Sequence, residues 1–365
     1  MKIMTVFGTR PEIIRLSLIM KKVDKYCEHI MVHTGQNFDD TLSKVFFDEL
    51  KLRDPDYYLG VQGETFGEQI GKILIETEKI INKVRPDKLL ILGDTYSGLA
   101  SIVAKRMGIP VYHMEAGNRC FDDCVPEEVN RRIIDHSSSV LMPYTHNSKE
   151  NLLGEGIAIN KIFVIGNPIC EVINENMESI KNSDVHDRLN LKPREYFLVT
   201  MHREENVDIK GRLSNILKAF EKIEKNYGMP VICSLHPRTK VKIENFNLKL
   251  DNKNIHMQKP LGFIDFIALE MQALCVLTDS RTVQEECCIL GVPNVTIRDV
   301  TERLETIEAG SNITTGNEPD VILRSVKIAL SETKDWKIPK EYQAKNVSSA
   351  VVKVLLGFNR NGILS

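Results

Sequence analysis

The stretch "PVYHMEAGNRCFDDCVPEEVNRRIIDH", Pro110 to His136, passes from a short apolar run into a helical pattern, with Pro126 placed at a helix start. Between the two it gathers Glu115, Asp122, Asp123, Glu127 and Glu128 beside Arg119, Arg131 and Arg132. A buried strand that runs into a helix is the repeating unit of a parallel sheet. The same alternation extends on both sides. "KIMTVFG" precedes "PEIIRLSLIMKKVDKY", "HIMVHTG" precedes "DTLSKVFFDEL", and "KLLILGD" precedes "SGLASIVAKRMG". "VLMPYT", the helix "SKENLLGEG" and a strand "KIFVIG" follow. After the polar, irregular "ESIKNSDVHDRLNLKPRE" the pattern restarts with "YFLVTMH", "VICSLHP", "NIHMQKP", "CVLTDS" and "NVTIRD" as strands. The fold class predicted is α/β: two doubly wound Rossmann-like domains facing a cleft. They divide near residue 170 into 1–170 and 171–344, and an amphipathic C-terminal helix within 345–365 packs back on one of them.

A chain of 365 residues suits two domains of common size. A net charge of −2 excludes a global electrostatic case for nucleic acid or an anionic membrane. Arg10, Glu12 and Arg15 interrupt the apolar N-terminal run, which is too short and too charged for a signal peptide, and no window supplies the ~18 apolar residues of a spanning helix. A cytoplasmic protein is expected. The eight cysteines are scattered, mostly in apolar runs such as "PVICSL", where thiols pack as small hydrophobes. "CFDDC", Cys120 to Cys124, is too little to carry a zinc site, so no metal is expected. G-x-G-x-x-G and the Walker lysine pattern are absent after every strand, which argues against a dinucleotide cofactor and ATP-driven chemistry.

Open parallel sheets bind ligands beyond the carboxyl ends of their strands. The polar segments there are "GTRPE", "TGQN", "GDTYSG", "MEAGNR", "MHREEN", "HPR" and "TDSRTVQEE". In "FGTRPEIIR", Gly8 and Thr9 end a strand, and Arg10 and Arg15 are placed to contact phosphate or carboxylate. Asp94 drops off an apolar strand, where an acid also serves as a cap or turn residue. Glu115, ending a buried strand, is costly unless paired, and Gly117 clears space beside it. Glu127 and Glu128 in a first helical turn are explained by the macrodipole and by i,i+4 pairing with Arg131 and Arg132. The coincidence of Asp94, Glu115 and Glu127 at neighbouring strand exits is not; carboxylates gathered there suit acid/base work near neutral pH. In the second half His202 and Arg203 follow a strand. Ser280 N-caps a helix that offers an anion site, Glu286 lies where it reaches a ribose diol, and Arg303 adds a cation.

Taken in order, "GTRPE", "TGQ", "GDT", "EAG", "PEE-NR", "HRE", "TDS…QEE", "LG-P" and "RD-TER" resemble the non-hydrolysing UDP-N-acetylglucosamine 2-epimerases along nearly the whole chain. The resemblance implies a glycosyltransferase-B-like fold, a UDP-sugar substrate, no cofactor, and a homodimer. It implies removal of the carbon-2 proton with anti elimination of UDP, then reprotonation of the glycal on the other face and re-addition. The acidic positions fall on Asp94, Glu115 and Glu127, and the histidine on His202. Nucleotide contacts fall on Arg10, Ser280, Glu286 and Arg303, with Arg15 replacing a common lysine. Three departures stand out. The family's Ser-Gly-Gly turn is Ser280-Arg281-Thr282 here, strained if either glycine needs positive φ, unless Arg281 contacts phosphate instead. "GNRCFD" and the shorter run to "PEE" are similar to a subgroup acting on modified UDP-sugars, such as N-acetyl-L-fucosamine precursors or diacetamido-uronates. "NFDD" stands where many members carry an activating UDP-sugar site, which removes the grounds for expecting allosteric activation.

Overall fold

The computed structural model describes residues 1–365 except 36–39, 64, 124, 236, 249, 251, 333–334 and 358–365, and it leaves the side chains of 40–43 and 237 undescribed. Most of "NFDD", Cys124 and His236 of "HPR" therefore lie outside the described residues. The chain divides into two units. The first comprises Met1–Asn174 together with the residues from Glu341 onward, and the second Glu175–Lys340.

The first unit holds β1 (Lys2–Phe7), β2 (Glu28–His33), β3 (Tyr57–Tyr58), β4 (Lys88–Leu92), β5 (Val111–Met114) and β6 (Val140–Met142). They form one sheet in the order β3-β2-β1-β4-β5-β6. Every pairing in it is parallel. The second unit repeats the design with β7 (Phe197–Met201), β8 (Val231–Leu235), β9 (Ile255–Gln258), β10 (Cys275–Thr278), β11 (Asn294–Thr296) and β12 (Asn312–Thr314). Their order is β12-β11-β10-β7-β8-β9, again parallel throughout. Helices cover the sheets, so the central strands are buried on both faces and read as unbroken apolar runs, as in "KLLIL" and "CVLT". The first core joins Met4, Val6, Leu89, Ile91 and Val111 to Ile80, Ile81 and Ile134. The second joins Phe197, Val199, Val231 and Leu277 to Ile216, Phe220 and Val326.

Two readings of the sequence change. "KIFVIG" is not a strand: Ile159–Lys161 is a 3-10 turn, and the segment meets the sheet at an isolated bridge, Leu141 to Ile162, where Phe163 N donates to the Leu141 carbonyl at 2.9 Å and Ile165 N to the Pro143 carbonyl at 3.0 Å. Its apolar run buries Ile162 against Leu141 of β6 and Leu152 without needing a ladder. The irregular stretch after residue 175 carries short helices, Met177–Lys181 and Val185–Arg188. The C-terminal helix, Val347–Gly357, belongs to the first unit. Lys22 donates to Ser348 and Ser349 at 2.7 and 2.6 Å, and the buried Lys88 donates to the Leu355 carbonyl at 2.6 Å. Among the described residues no helix is long and apolar enough to cross a membrane.

In both units the strand order reverses between two central strands, β1 and β4 in the first and β7 and β10 in the second. The loops leaving those strands diverge to opposite faces and leave a crevice at the carboxyl ends, where open α/β sheets bind ligands. "GTRPE" and "GDTYS" leave the first pair, and "MHREEN" and "TDSRT" the second.

Candidate active site

At the first switch point Glu12 closes the gap between the two strand exits. It lies in the first turn of helix Arg10–Tyr26, whose Pro11 suits that turn. Its Oε2 accepts from the Gly8 and Thr9 amides at 3.0 and 2.8 Å and from the Thr9 hydroxyl at 2.7 Å. Its Oε1 accepts from the Thr95 hydroxyl at 3.0 Å and from that of Ser97. Burial pushes its carboxyl above the usual carboxylate range, and the donors from Ser97, Thr9, Gly8 and Thr95 pull it partly back. Glu12 thus stitches the β1 exit to the turn that presents Asp94.

Asp94 is buried, and its Oδ2 accepts from Arg131 Nε at 2.7 Å. The same guanidinium donates through Nη1 to Glu128 Oε2 at 2.6 Å, and Asn130 donates to the Asp94 carbonyl at 3.1 Å. Both residues lie on helix Pro126–Ser137, whose first turn holds Glu127, half-buried, beside the fully buried Glu128. Glu128 binds Arg132 at 3.4 Å, as its i,i+4 spacing predicts, but its principal partner is Arg131 at i,i+3. Glu128 also accepts from the amides of Cys120 and Phe121, so it organises the "NRCF" loop.

Glu115 leaves β5 with a left-handed backbone, φ +63°. That conformation is unfavourable for a side-chain-bearing residue by roughly 1–3 kcal/mol and persists only where the surroundings over-determine it. They do so here. Its amide donates to the Met142 carbonyl at 3.1 Å, its Oε2 pairs with Arg15 Nη1 at 2.9 Å, and its Oε1 accepts from Asn118 Nδ2 at 3.1 Å. The pairing partner that its buried position demanded is Arg15, which also lies over the Tyr144 ring. A Cβ on Gly93, the residue before Asp94, would stand 3.6 Å from Glu115 Oε2. Asp94, Glu115 and the Glu127 helix therefore converge at one end of the first sheet. Arg10 opens its helix at the same end, half-buried against the Phe46 ring. Burial lowers its guanidinium from the ordinary value.

The second switch point repeats the stitch with a different acid. Asp279, fully buried after β10, accepts from the His202 and Arg203 amides at 3.0 and 2.9 Å and from Asn206 Nδ2 at 3.3 Å. This places the exposed His202 ring at the β7 exit, with Nδ1 3.3 Å from Asp279 Oδ1. Ser280 occupies the N-cap position of helix Arg281–Leu290, its hydroxyl 3.0 Å from that of Thr282. Arg281 and Thr282 are helical with negative φ, so the left-handed strain considered for them does not arise. Arg281 Nε lies 3.3 Å from Glu302. Glu286 is buried on the second turn. Its neighbour is Glu270, which accepts from the Cys287 thiol at 3.0 Å and whose carboxyl is held well above the usual range by burial and then by repulsion from Glu286. Arg303 is buried and paired with Glu285 at 2.5 Å, one residue before Glu286 on that helix.

Sequence reading missed Glu12, Asp279 and Asn118, and read Glu128 only as a first-turn acid paired with Arg132. Glu12 and Asp279 sit inside quoted motifs, "GTRPE" and "TDS", and the missed signal was a charged residue at a strand exit where burial would force it to collect backbone donors. Among the described residues no group of three or more His, Cys, Asp or Glu is arranged to hold a metal.

Two Rossmann-like units of identical strand order, each with charged groups at its switch point, define a glycosyltransferase-B-like α/β protein. A family model for UDP-N-acetylglucosamine 2-epimerase matches residues 21–356, and the chain belongs to that family of enzymes. It is 45% identical over 347 residues to the UDP-N-acetylglucosamine 2-epimerase of Methanocaldococcus jannaschii, covering 93% of this chain and 95% of that one. It is 36% identical over 336 residues to the UDP-2,3-diacetamido-2,3-dideoxy-D-glucuronate 2-epimerase of Pseudomonas aeruginosa, covering 91% and 93%. The crystal structure of the M. jannaschii enzyme in complex with UDP-GlcNAc and UDP superposes with a TM-score of 0.93 at 43% identity, covering 97% and 99%.

Proposed function

We propose that the chain epimerises carbon 2 of a UDP-N-acetyl amino sugar without a cofactor, UDP-GlcNAc to UDP-ManNAc by default, in surface polysaccharide synthesis. The observation that carries this reading is the Asp94–Glu115 arrangement: buried carboxylates on adjacent strand exits, each with its own arginine, Arg131 and Arg15. Inverting a carbon without redox chemistry requires a group to take the carbon-2 proton and a group to return one on the opposite face. One carboxylate removes that proton, the bond from carbon 1 to the pyrophosphate oxygen breaks with its electron pair leaving on UDP, and a carbon 1–carbon 2 double bond forms. Reprotonation from the other side and return of the UDP oxygen to carbon 1 complete the exchange. Asp94, Glu115 and Glu127 supply the proton-transfer groups in this reading. His202 and the start of helix Arg281–Leu290, with Ser280, Arg281 and Thr282, bind the diphosphate, assisted by Arg10, Arg203 and Arg303, and Glu286 binds the ribose. Arg15 serves first as the counter-ion of Glu115. The enzyme works as a homodimer.

The second reading is epimerisation of a modified sugar such as a UDP-diacetamido-glucuronate, favoured by the Pseudomonas relative and the "GNRCFD" loop. Incubation with a panel of UDP-sugars in deuterated water separates them, because the true substrate gains deuterium at carbon 2 and interconverts with its epimer. Release of free sugar and UDP would instead mark a hydrolysing enzyme. Asp94→Asn and Glu115→Gln should each lower exchange by about 10²–10⁴-fold while UDP still binds. Full exchange in either variant would overturn that residue's role.

A further inference from the structure

His113, on β5, is buried and carries no role in the proton transfers above. Both its ring nitrogens meet acceptors. Nδ1 lies 2.8 Å from Asp135 Oδ1, and Nε2 lies 2.9 Å from the Gly93 carbonyl. A carbonyl cannot donate. The proton between His113 and Asp135 is assigned to the ring and the negative charge to Asp135, because the buried Arg119 cation pairs with Asp135 Oδ2 at 2.9 Å, beside the Gly117 amide at 3.1 Å, and a neutral acid would leave that cation without its counter-charge. A neutral imidazole would turn a lone pair toward one of these acceptors inside a dry core, where an unmade hydrogen bond is expensive. Both nitrogens therefore carry hydrogen.

We infer that His113 is held as an imidazolium and, with Asp135, is the positioning residue that sets the Asp94 turn against the Glu115 turn; this rests on the epimerase reading given above. One ring nitrogen fixes the carbonyl of Gly93, whose neighbour is Asp94. The other, through Asp135, fixes the amide of Gly117, two residues past Glu115. Arg119 closes the circuit. It binds Asp135, forms two 2.7 Å hydrogen bonds to Glu155 at the end of helix His146–Gly154, and donates to the Asn118 carbonyl at 2.7 Å. Asn118 in turn donates to Glu115. The charges facing the imidazolium are thus Asp135 directly, with Arg119, Glu155 and the Arg15–Glu115 pair beyond it. The proton lets one side chain donate to two strand exits at once, and no neutral tautomer does that.

The first test is nitrogen NMR of the wild-type protein, with the His113 ring assigned through its backbone. Both ring nitrogens should resonate as protonated in the folded protein, and a neutral-tautomer signature overturns the inference. The second uses Asp135→Asn, which keeps the shape and removes the charge, beside His113→Gln. Turnover of carbon-2 deuterium exchange should fall about 10²-fold, the cost of misplacing a catalytic group by about 1 Å, with UDP affinity and KM unchanged. Equal losses in turnover and affinity, or wild-type turnover, overturn it. If the wild-type protein exchanges with no UDP-sugar, the epimerase reading fails, and the NMR result still decides the state of His113.

Discussion

Replacing Gly117 by alanine should destabilise the first unit selectively. Gly117 has φ +80°, and a Cβ there would stand 2.2 Å from the Ser148 carbonyl oxygen, 2.8 Å from Leu152 Cγ and 2.9 Å from the Ser148 carbonyl carbon. The left-handed backbone alone costs an alanine about 1–2 kcal/mol. Relieving the overlap requires the start of helix His146–Gly154 or the Glu115 turn to move, and overpacking of that kind costs about 1–3 kcal/mol more. Movement also loosens the bonds from the Gly117 amide to Asp135 and from Asn151 to the Gly117 carbonyl. The sum is about 2–5 kcal/mol, a large share of the roughly 5–15 kcal/mol that holds a domain folded. The assay separates the units because the single tryptophan, Trp336, lies in the second, donating to the Cys288 carbonyl at 3.1 Å. Its fluorescence should report an unchanged urea transition, while amide exchange in peptides of β4, β5 and the Gly117 turn accelerates. An alanine variant whose first-unit protection stays within about 0.5 kcal/mol of wild type would refute the reasoning, since that is the range of an ordinary surface substitution.

The remaining predictions use the second unit. Glu270 is raised well above the ordinary carboxyl value, by burial and then by Glu286, so folding takes up a proton. That stability is complete below about pH 4.3, the unfolded value, and is lost as pH rises through the folded value; urea titrations should show Glu270→Gln flattening this decline. Replacing Arg281 and Thr282 by glycines should lower second-unit stability by about 1 kcal/mol, because both positions are helical, and the tryptophan transition measures it. A gain in stability there would sink the negative-φ assignment. Burial pushes the Cys233 and Cys287 thiols upward and Cys288 to about 11, so among the described cysteines the half-buried Cys27 and Cys120 should react first with a thiol reagent in the native protein. Mass spectrometry of the labelled peptides gives the order.

Part of this site is legible in the chain itself, and the division follows the range of the forces involved. Apolar runs of strand length, Pro11 and Pro126 at helix starts, and Ser280 at an N-cap are properties of a few consecutive residues. The alternation of strand and helix, and the acids at strand exits, can therefore be read directly from consecutive residues. Periodicity alone also misleads: "KIFVIG" has the pattern of a strand but meets β6 at an isolated bridge. β3 and β12 escape such a reading, because two or three residues hold no period and owe their pairing to the neighbouring strand.

Tertiary structure alone decided which exits adjoin. Placing β1 beside β4 brings Glu12 to Thr95 and Ser97 across some eighty positions, and placing β7 beside β10 brings Asp279 to His202. It also turned Glu115 into a left-handed conformation against Arg15, a hundred residues earlier in the chain. A buried charge must find opposite charge or donors wherever the packing delivers them. The kinds of residue at this site were thus settled by the sequence, and their partners by the order in which the strands assemble.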